Sequence, residues 1–231
     1  MQVAEIFYSV QGEGKLTGVP SAFVRLAGCN LRCRYCDTPY ARKAADGRSM
    51  SVEQVAARLA EFPAKHVVVT GGEPLLSDEL DELCSQLRAE GKHVTLETAA
   101  TVEHVVPVDL VSISPKLSNS VPNDAELGNG YDELRLKVGV IKAYLEQARR
   151  DSSDYQLKFV LAQPKDIMEV QEVLRKLDVA VPAEQVFLMP QAVNRRQLAR
   201  RSAWLVELCK EHGYRFCWRL QLSLYGEQRG R

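Results

Sequence analysis

The 231-residue chain has no long apolar run, no surplus of either charge, and few cysteines outside one short stretch. No segment approaches the roughly 20 consecutive apolar residues that a bilayer-crossing helix needs, and Met1-Gln2-Val3-Ala4-Glu5 is not a basic region leading into an apolar one. The sequence therefore predicts a cytoplasmic protein with no membrane partner. Thirty basic residues balance thirty acidic ones, which leaves no positive field of the kind that holds nucleic acid by counterion release. A small-molecule ligand is expected, and nucleic acid is not. Six cysteines are thin for a disulfide scaffold of this size. With 45% hydrophobic residues the chain can bury one substantial core, and residues 1–231 read as a single domain.

What is present is an alternation of short β-rich runs with helical patterns. Strands are predicted at 21–26, 66–70, 93–97, 110–114, 156–161 and 185–189, with a closing strand at 216–224. Helices are predicted at 51–62, 77–90, 131–149, 165–177 and 195–212. Ser51 and Gln54 form a possible capping box, and Gly91 stops the second helix. Such alternation implies an α/β fold with a mostly parallel sheet and crossover helices, whose chemistry lies at the strand C-terminal ends. Gly71-Gly72-Glu73-Pro74, Glu97-Thr98 and Ser114-Pro115-Lys116 each follow a predicted strand and should meet on one rim. A closed eight-stranded barrel typically takes about 250 residues, so an open, partial TIM-like (β/α) barrel is expected.

Three of the six cysteines crowd into Cys29-Asn30-Leu31-Arg32-Cys33-Arg34-Tyr35-Cys36, and that density points to metal. Structural zinc wants four ligands, and no second cysteine pair follows. A cubane iron-sulfur cluster held by three cysteines keeps one iron open. Cys84, Cys209 and Cys217 fall in apolar-periodic segments and read as small buried hydrophobes.

The Cys-x3-Cys-x2-Cys spacing at Cys29, Cys33 and Cys36, in the loop 29–36, resembles the cluster motif of the radical S-adenosylmethionine superfamily. Gly71-Gly72-Glu73-Pro74 resembles that superfamily's glycine-rich segment. The run from Glu5 through Gln11-Gly12-Glu13-Gly14 and Gly18-Val19-Pro20 to Cys36-Asp37-Thr38-Pro39-Tyr40 narrows the likeness to the 7-carboxy-7-deazaguanine synthase family. Glu97-Thr98, Ser112-Ile113-Ser114-Pro115-Lys116, Leu188-Met189-Pro190-Gln191 and the ending Arg219-Leu220 to Tyr225-Gly226, with Arg229-Gly230, fit the same family.

That resemblance implies a [4Fe-4S] cluster on Cys29, Cys33 and Cys36 and Mg²⁺ bound through Thr38. It implies S-adenosylmethionine near Gly72, Glu73, Glu97, Ser114, Lys116 and Gln191. It implies 6-carboxy-5,6,7,8-tetrahydropterin held by Gln11, Glu13, Arg25 and Gln221, with the pyrimidine edge on Gln11 and Glu13 and the carboxylate on Arg25. The implied chemistry is a radical ring contraction begun at C6, with loss of ammonia, in queuosine-type 7-deazapurine biosynthesis. An electron donor such as flavodoxin or ferredoxin and a homodimeric state are implied as well. Locally, Gln-Gly-Glu-Gly also reads as a solvated turn and Arg25 as a strand-surface charge. Two positions depart from the family pattern: Gln221 stands where histidine is frequent, and Ala100 where glycine is. The other readings left open are a glycyl-radical-enzyme activating enzyme, which acts on a protein, and a non-enzymatic zinc-binding module.

Overall fold

The structure is a computed structural model that describes residues 1–122, 130–226, 228 and 230. Part of the predicted loop at 115–130, and Arg229 of the terminal motif, lie outside the described residues. Nine strands form one sheet in the order β3-β1-β2-β4-β5-β6-β7-β8-β9. They are β1 (Gln2–Val10), β2 (Pro20–Leu26), β3 (Arg48–Ser49), β4 (His66–Gly71), β5 (His93–Thr98), β6 (Leu110–Ile113), β7 (Asp154–Leu161), β8 (Val186–Pro190) and β9 (Arg215–Phe216). From β2 to β9 every neighbouring pair is parallel; β1 runs antiparallel to both β2 and β3. The sheet starts at β3 and stops at β9 without closing, which is the open, partial (β/α) barrel that the alternation predicts.

Helices α1 (Val52–Ala60), α2 (Leu80–Ala89), α3 (Tyr131–Arg135), α4 (Val138–Asp151), α5 (Ile167–Leu177), α6 (Arg195–His212) and α7 (Leu220–Tyr225) complete the fold. The period-2 alternation of the strands decides where everything goes. Val67 and Val69, Val94 and Leu96, Val111 and Ile113, Leu157 and Phe159, and Val186 and Leu188 join one core cluster with helix residues such as Leu59, Leu83, Ile141, Val170 and Leu205. The alternate residues, among them Arg25, Thr70, Glu97 and Lys158, face a cavity on the opposite side of the sheet.

Three expectations change. First, residues 2–10, outside every predicted strand, form one; β1 pairs with β2 from Val3↔Leu26 to Val10↔Pro20 and carries Glu5 and Phe7 to the cavity. Second, the closing strand at 216–224 is two residues of β9 followed by α7. Leu220, Leu222 and Leu224 imitate a strand face, yet Leu222 packs with Ala192 and Leu198 while Leu224 is exposed, as a helix requires. Third, the helix at 131–149 breaks at Leu136, whose backbone is extended; Arg135, the last residue of α3, is tied to Glu169 and to the carbonyl of Lys116.

The capping box at α1 is present in both directions: the Gln54 amide donates to Ser51 Oγ at 3.3 Å and the Ser51 amide donates to Gln54 Oε1 at 3.0 Å. Ser51→Ala is expected to lower unfolding stability by about 1 kcal/mol, the usual cost of an N-cap. Urea denaturation should show the midpoint shifting with an unchanged slope.

Candidate functional site

The strand C-terminal ends and their loops surround one cavity of about 770 Å³, a size suited to small-molecule ligands. Cys29, Cys33 and Cys36 line one side of it, and Gln11, Glu13, Arg25, Thr38, Gly72, Glu97, Ser114, Lys116, Gln191 and Gln221 line it too. Residues spread over the length of the chain thus meet on one rim.

The thiol side is held by backbone contacts between loops. Gly72 donates to the carbonyl of Leu26, and Glu73 to that of Gly28. A Cβ on Gly72 would come within 2.1 Å of the Gly28 carbonyl oxygen, so glycine here lets the strand end lie against the cysteine loop. Each cysteine sulfur has a hydrogen-bonding neighbour: the Leu31 amide at 3.4 Å from Cys29, the Tyr131 hydroxyl at 3.7 Å from Cys33, and the Thr38 hydroxyl at 3.9 Å from Cys36. Burial pushes the Cys29 thiol up to about 11, so it keeps its proton at neutral pH unless a metal replaces it. Three sulfurs with polar neighbours, and no histidine beside them, form a soft donor set that suits an iron-sulfur cluster. Among the described residues no group of three or more His, Cys, Asp or Glu side chains converges on a point that a single metal ion could fill. The thiols line a wall and do not enclose one ion.

The same cavity carries a chain of alternating charges. Lys158 Nζ donates to Glu13 at 2.7 Å and to Glu97 at 2.8 Å; Arg219 Nε donates to Glu13 at 3.2 Å, and another Arg219 nitrogen bonds Asp37. Gln221 donates to Glu13 at 2.7 Å, and Gln11 to Glu97 at 3.3 Å. Burial works to raise the Glu13 pKa, but the charges of Lys158 and Arg219 overturn it and lower the carboxyl to about 2. Burial likewise opposes charge on Lys158, and Glu13 and Glu97 outweigh it, holding the ammonium above the ordinary lysine value. Gln221, in the position where the family pattern favours histidine, supplies an uncharged donor to the same carboxylate.

Several side chains sit differently from expectation. Glu73, expected to face an ammonium, does not line the cavity; it is 2% exposed and accepts from Thr98 Oγ1 at 2.6 Å and from the amides of Ala99 (2.9 Å) and Leu75 (3.2 Å). Burial raises its pKa. Glu13 already accepts from three side chains, which leaves about one of a carboxylate's four lone-pair sites for a ligand. Arg25 is not a free surface charge: its Nε donates to Glu5 at 2.7 Å, and the same carboxylate oxygen accepts from Tyr40 at 2.7 Å. Lys116 donates to Ser114 at 2.8 Å, and Gln191 accepts from Arg201. Ala100, at the departure from glycine, adopts φ +54°, so the left-handed turn persists, with its amide on Thr98 Oγ1.

Lys158 was not singled out from sequence, and Glu5, Asp37, Tyr40 and Arg219 only as parts of motifs. A signal existed for Lys158: it alternates with Gln156 in an otherwise apolar strand, where a charged residue needs a buried partner.

Residues 24–114 match the Radical SAM superfamily. The chain is similar to the 7-carboxy-7-deazaguanine synthase of Rhodopirellula baltica, at 41% identity over 99% of this chain and 88% of the relative. It is similar to that of Halobacterium salinarum at 39% identity over 98% and 91%. Its fold is similar to the crystal structure of QueE from Escherichia coli, with a TM-score of 0.71 at 25% identity over 94% of this chain and 92% of that one.

A carboxylate whose folded pKa is depressed stabilises the fold above its unfolded value, and that contribution is lost as pH falls towards the folded one. For Glu13 the window runs from 4.5 down to about 2, and the contribution is about 3 kcal/mol. The stability gap between the parent and Glu13→Gln, followed by urea unfolding, is expected to be constant near neutrality and to close across that window. A gap independent of pH would contradict the pairing. Lys158→Met, which leaves two carboxylates facing each other, should cost about 3 to 5 kcal/mol.

Proposed function

This chain belongs to the 7-carboxy-7-deazaguanine synthase family of the radical SAM superfamily, and from that premise we propose that it converts 6-carboxy-5,6,7,8-tetrahydropterin to 7-carboxy-7-deazaguanine with loss of ammonia, in queuosine-type 7-deazapurine biosynthesis. The observation that carries this reading is one cavity lined both by three thiols and by a largely buried carboxylate-guanidinium network. A glycyl-radical-enzyme activating enzyme would need to admit a protein, and a zinc module would leave the charged wall without a purpose. Family membership sets both aside.

In this reading Cys29, Cys33 and Cys36 hold the [4Fe-4S] cluster. When bound, the cluster and S-adenosylmethionine supply a one-electron cleavage that starts hydrogen abstraction. Gly72, Glu97, Ser114, Lys116 and Gln191 would hold S-adenosylmethionine. Glu73 acts indirectly, its amide holding the cysteine loop at Gly28 and its carboxylate committed to Thr98, Ala99 and Leu75. Thr38 is the oxygen donor for Mg²⁺; the neighbouring Asp37 carboxylate is turned to Arg219.

The pterin carboxylate meets the Arg25 guanidinium, oriented by Glu5 through Nε so that its terminal nitrogens remain for the ligand. Glu13 takes one donor of the pyrimidine edge, and Gln11 and Gln221 complete that contact. Such placement limits the pterin to one orientation before reaction begins. We further read residues 1–231 as one radical SAM domain acting in the cytoplasm as a homodimer, with flavodoxin or ferredoxin as reductant. No helix among the described residues is long and apolar enough to cross a membrane.

Anaerobically reconstituted protein incubated with the pterin, S-adenosylmethionine and reductant should form the carboxydeazaguanine, detected by mass spectrometry. Truncating one partner of a buried charged pair typically costs about 2 to 5 kcal/mol. Arg25→Ala should therefore lower kcat/KM by roughly 30-fold or more while keeping the iron content of the parent. Cys36→Ala should lose both iron and turnover. Normal conversion of the pterin by Arg25→Ala would remove that residue from the substrate site.

A further inference from the structure

We propose that Arg219 is a positioning residue that fastens the cysteine loop to the substrate wall, an inference that rests on the three-cysteine cluster described above. Arg219 is 9% exposed, and its guanidinium reaches three separate stretches of chain. Nε donates to Glu13 in the β1–β2 connection, one terminal nitrogen donates to the carbonyl of Ala192 beyond β8, and the other donates to Asp37. Asp37 directly follows Cys36 and directly precedes Thr38.

Residues 27–38 lie in neither helix nor strand, so the shape of this loop comes from contacts made at a distance. The Gly28 and Cys29 amides donate to Ala41 and Arg42, the Arg34 amide donates to Ser120, and the Arg42 side chain donates to the carbonyl of Cys33. Asp37 supplies a further tie at the end of the loop that carries Cys36. A carboxylate whose side chain is 54% exposed would ordinarily gain little from an ion pair, because holding two long side chains in one geometry costs entropy. Arg219 changes that balance. Glu13 and the Ala192 carbonyl already hold it in one rotamer, so little further freedom is lost when Asp37 binds. A planar fork of five donors can face three acceptors at once, whereas an ammonium on a flexible stem cannot hold that geometry. The position of Cys36 and that of Glu13 are thereby linked through one side chain.

The test uses anaerobically reconstituted parent, Arg219→Gln, Arg219→Lys, Asp37→Asn and the double variant Arg219→Gln/Asp37→Asn. The rate at which a chelator removes iron is measured for each. Loss of a group that orients a metal ligand typically costs about 10- to 100-fold in metal affinity, so each of Arg219→Gln and Asp37→Asn should release iron at least about tenfold faster. The double variant should be no faster than Arg219→Gln alone, because both changes remove the same contact. Arg219→Lys should recover only part of the loss. On protein without the cluster, trypsin should cut after the exposed Arg32 and Arg34 faster in the variants, with cleavage after the exposed Arg196 of α6 unchanged.

Should Arg219→Gln fail to fold, Asp37→Asn, at a half-exposed side chain, carries the test. Iron release and trypsin cleavage of Asp37→Asn at the parent rates would overturn the proposal, as would a double variant whose effect is the product of the two single ones. A parent that assembles no iron cluster would instead overturn the cluster reading, and the trypsin comparison would still decide whether Arg219 holds the loop.

Discussion

The structure depends on the alternation of charge from Asp37 through Arg219, Glu13 and Lys158 to Glu97. Four of these groups, all but the half-exposed Asp37, are largely withdrawn from water on the concave side of a half-barrel, and each is tolerated only because its neighbours carry the opposite sign. The order cannot be permuted. Lys158 stands on β7, Glu97 on β5, Glu13 and Asp37 in separate loops, and Arg219 just before α7, so the chain of ion pairs exists only when the sheet has curled far enough to bring its last segments to its first. Hydrophobic burial behind the sheet drives that curling, and the charges select one final geometry for it.

Function follows from the same constraint. The thiols and the charged wall share one cavity, and the loop bearing Cys36 is joined to that wall through Asp37. Burial keeps the Cys29 thiol protonated until a metal arrives, while the ion pairs keep Glu13 ionised well into acid. One side of the cavity therefore waits for a soft metal cluster, and the other is a set of fixed charges that can orient a polar heterocycle without reorganising.

Much of this was legible in the sequence where a residue's role is local. The strand-helix alternation, the Ser51/Gln54 cap and the polar words after strands are short-range patterns, and the fold bears them out. Residues 2–10 were harder, because a strand paired near the sheet edge and carrying Glu5 and Ser9 lacks the apolar run of a central one. The end of the chain misled for a different reason: Leu220, Leu222 and Leu224 fit both periods until packing distinguishes them. The partners of Glu13, Arg25 and Glu73 were not legible at all, since Lys158 is 145 residues and Arg219 206 residues from Glu13. Their pairing is a property of strand order. The sequence shows which residues carry chemistry, but the committed state of a carboxylate such as Glu73 appears only once its three donors are in place.

The central claim is that this cavity positions the C6 hydrogen of the pterin for abstraction. The direct measurement is isotopic: the reconstituted protein is given pterin deuterated at C6 with unlabelled S-adenosylmethionine under reducing, anaerobic conditions. The hydrogen taken from C6 passes to the 5′ carbon of the adenosyl group, and S-adenosylmethionine is regenerated as a cofactor in the proposed reaction. The account therefore predicts carboxydeazaguanine formation with deuterium recovered in the S-adenosylmethionine pool. Product that forms while the pool stays unlabelled, or S-adenosylmethionine cleavage without any conversion of the pterin, would contradict it.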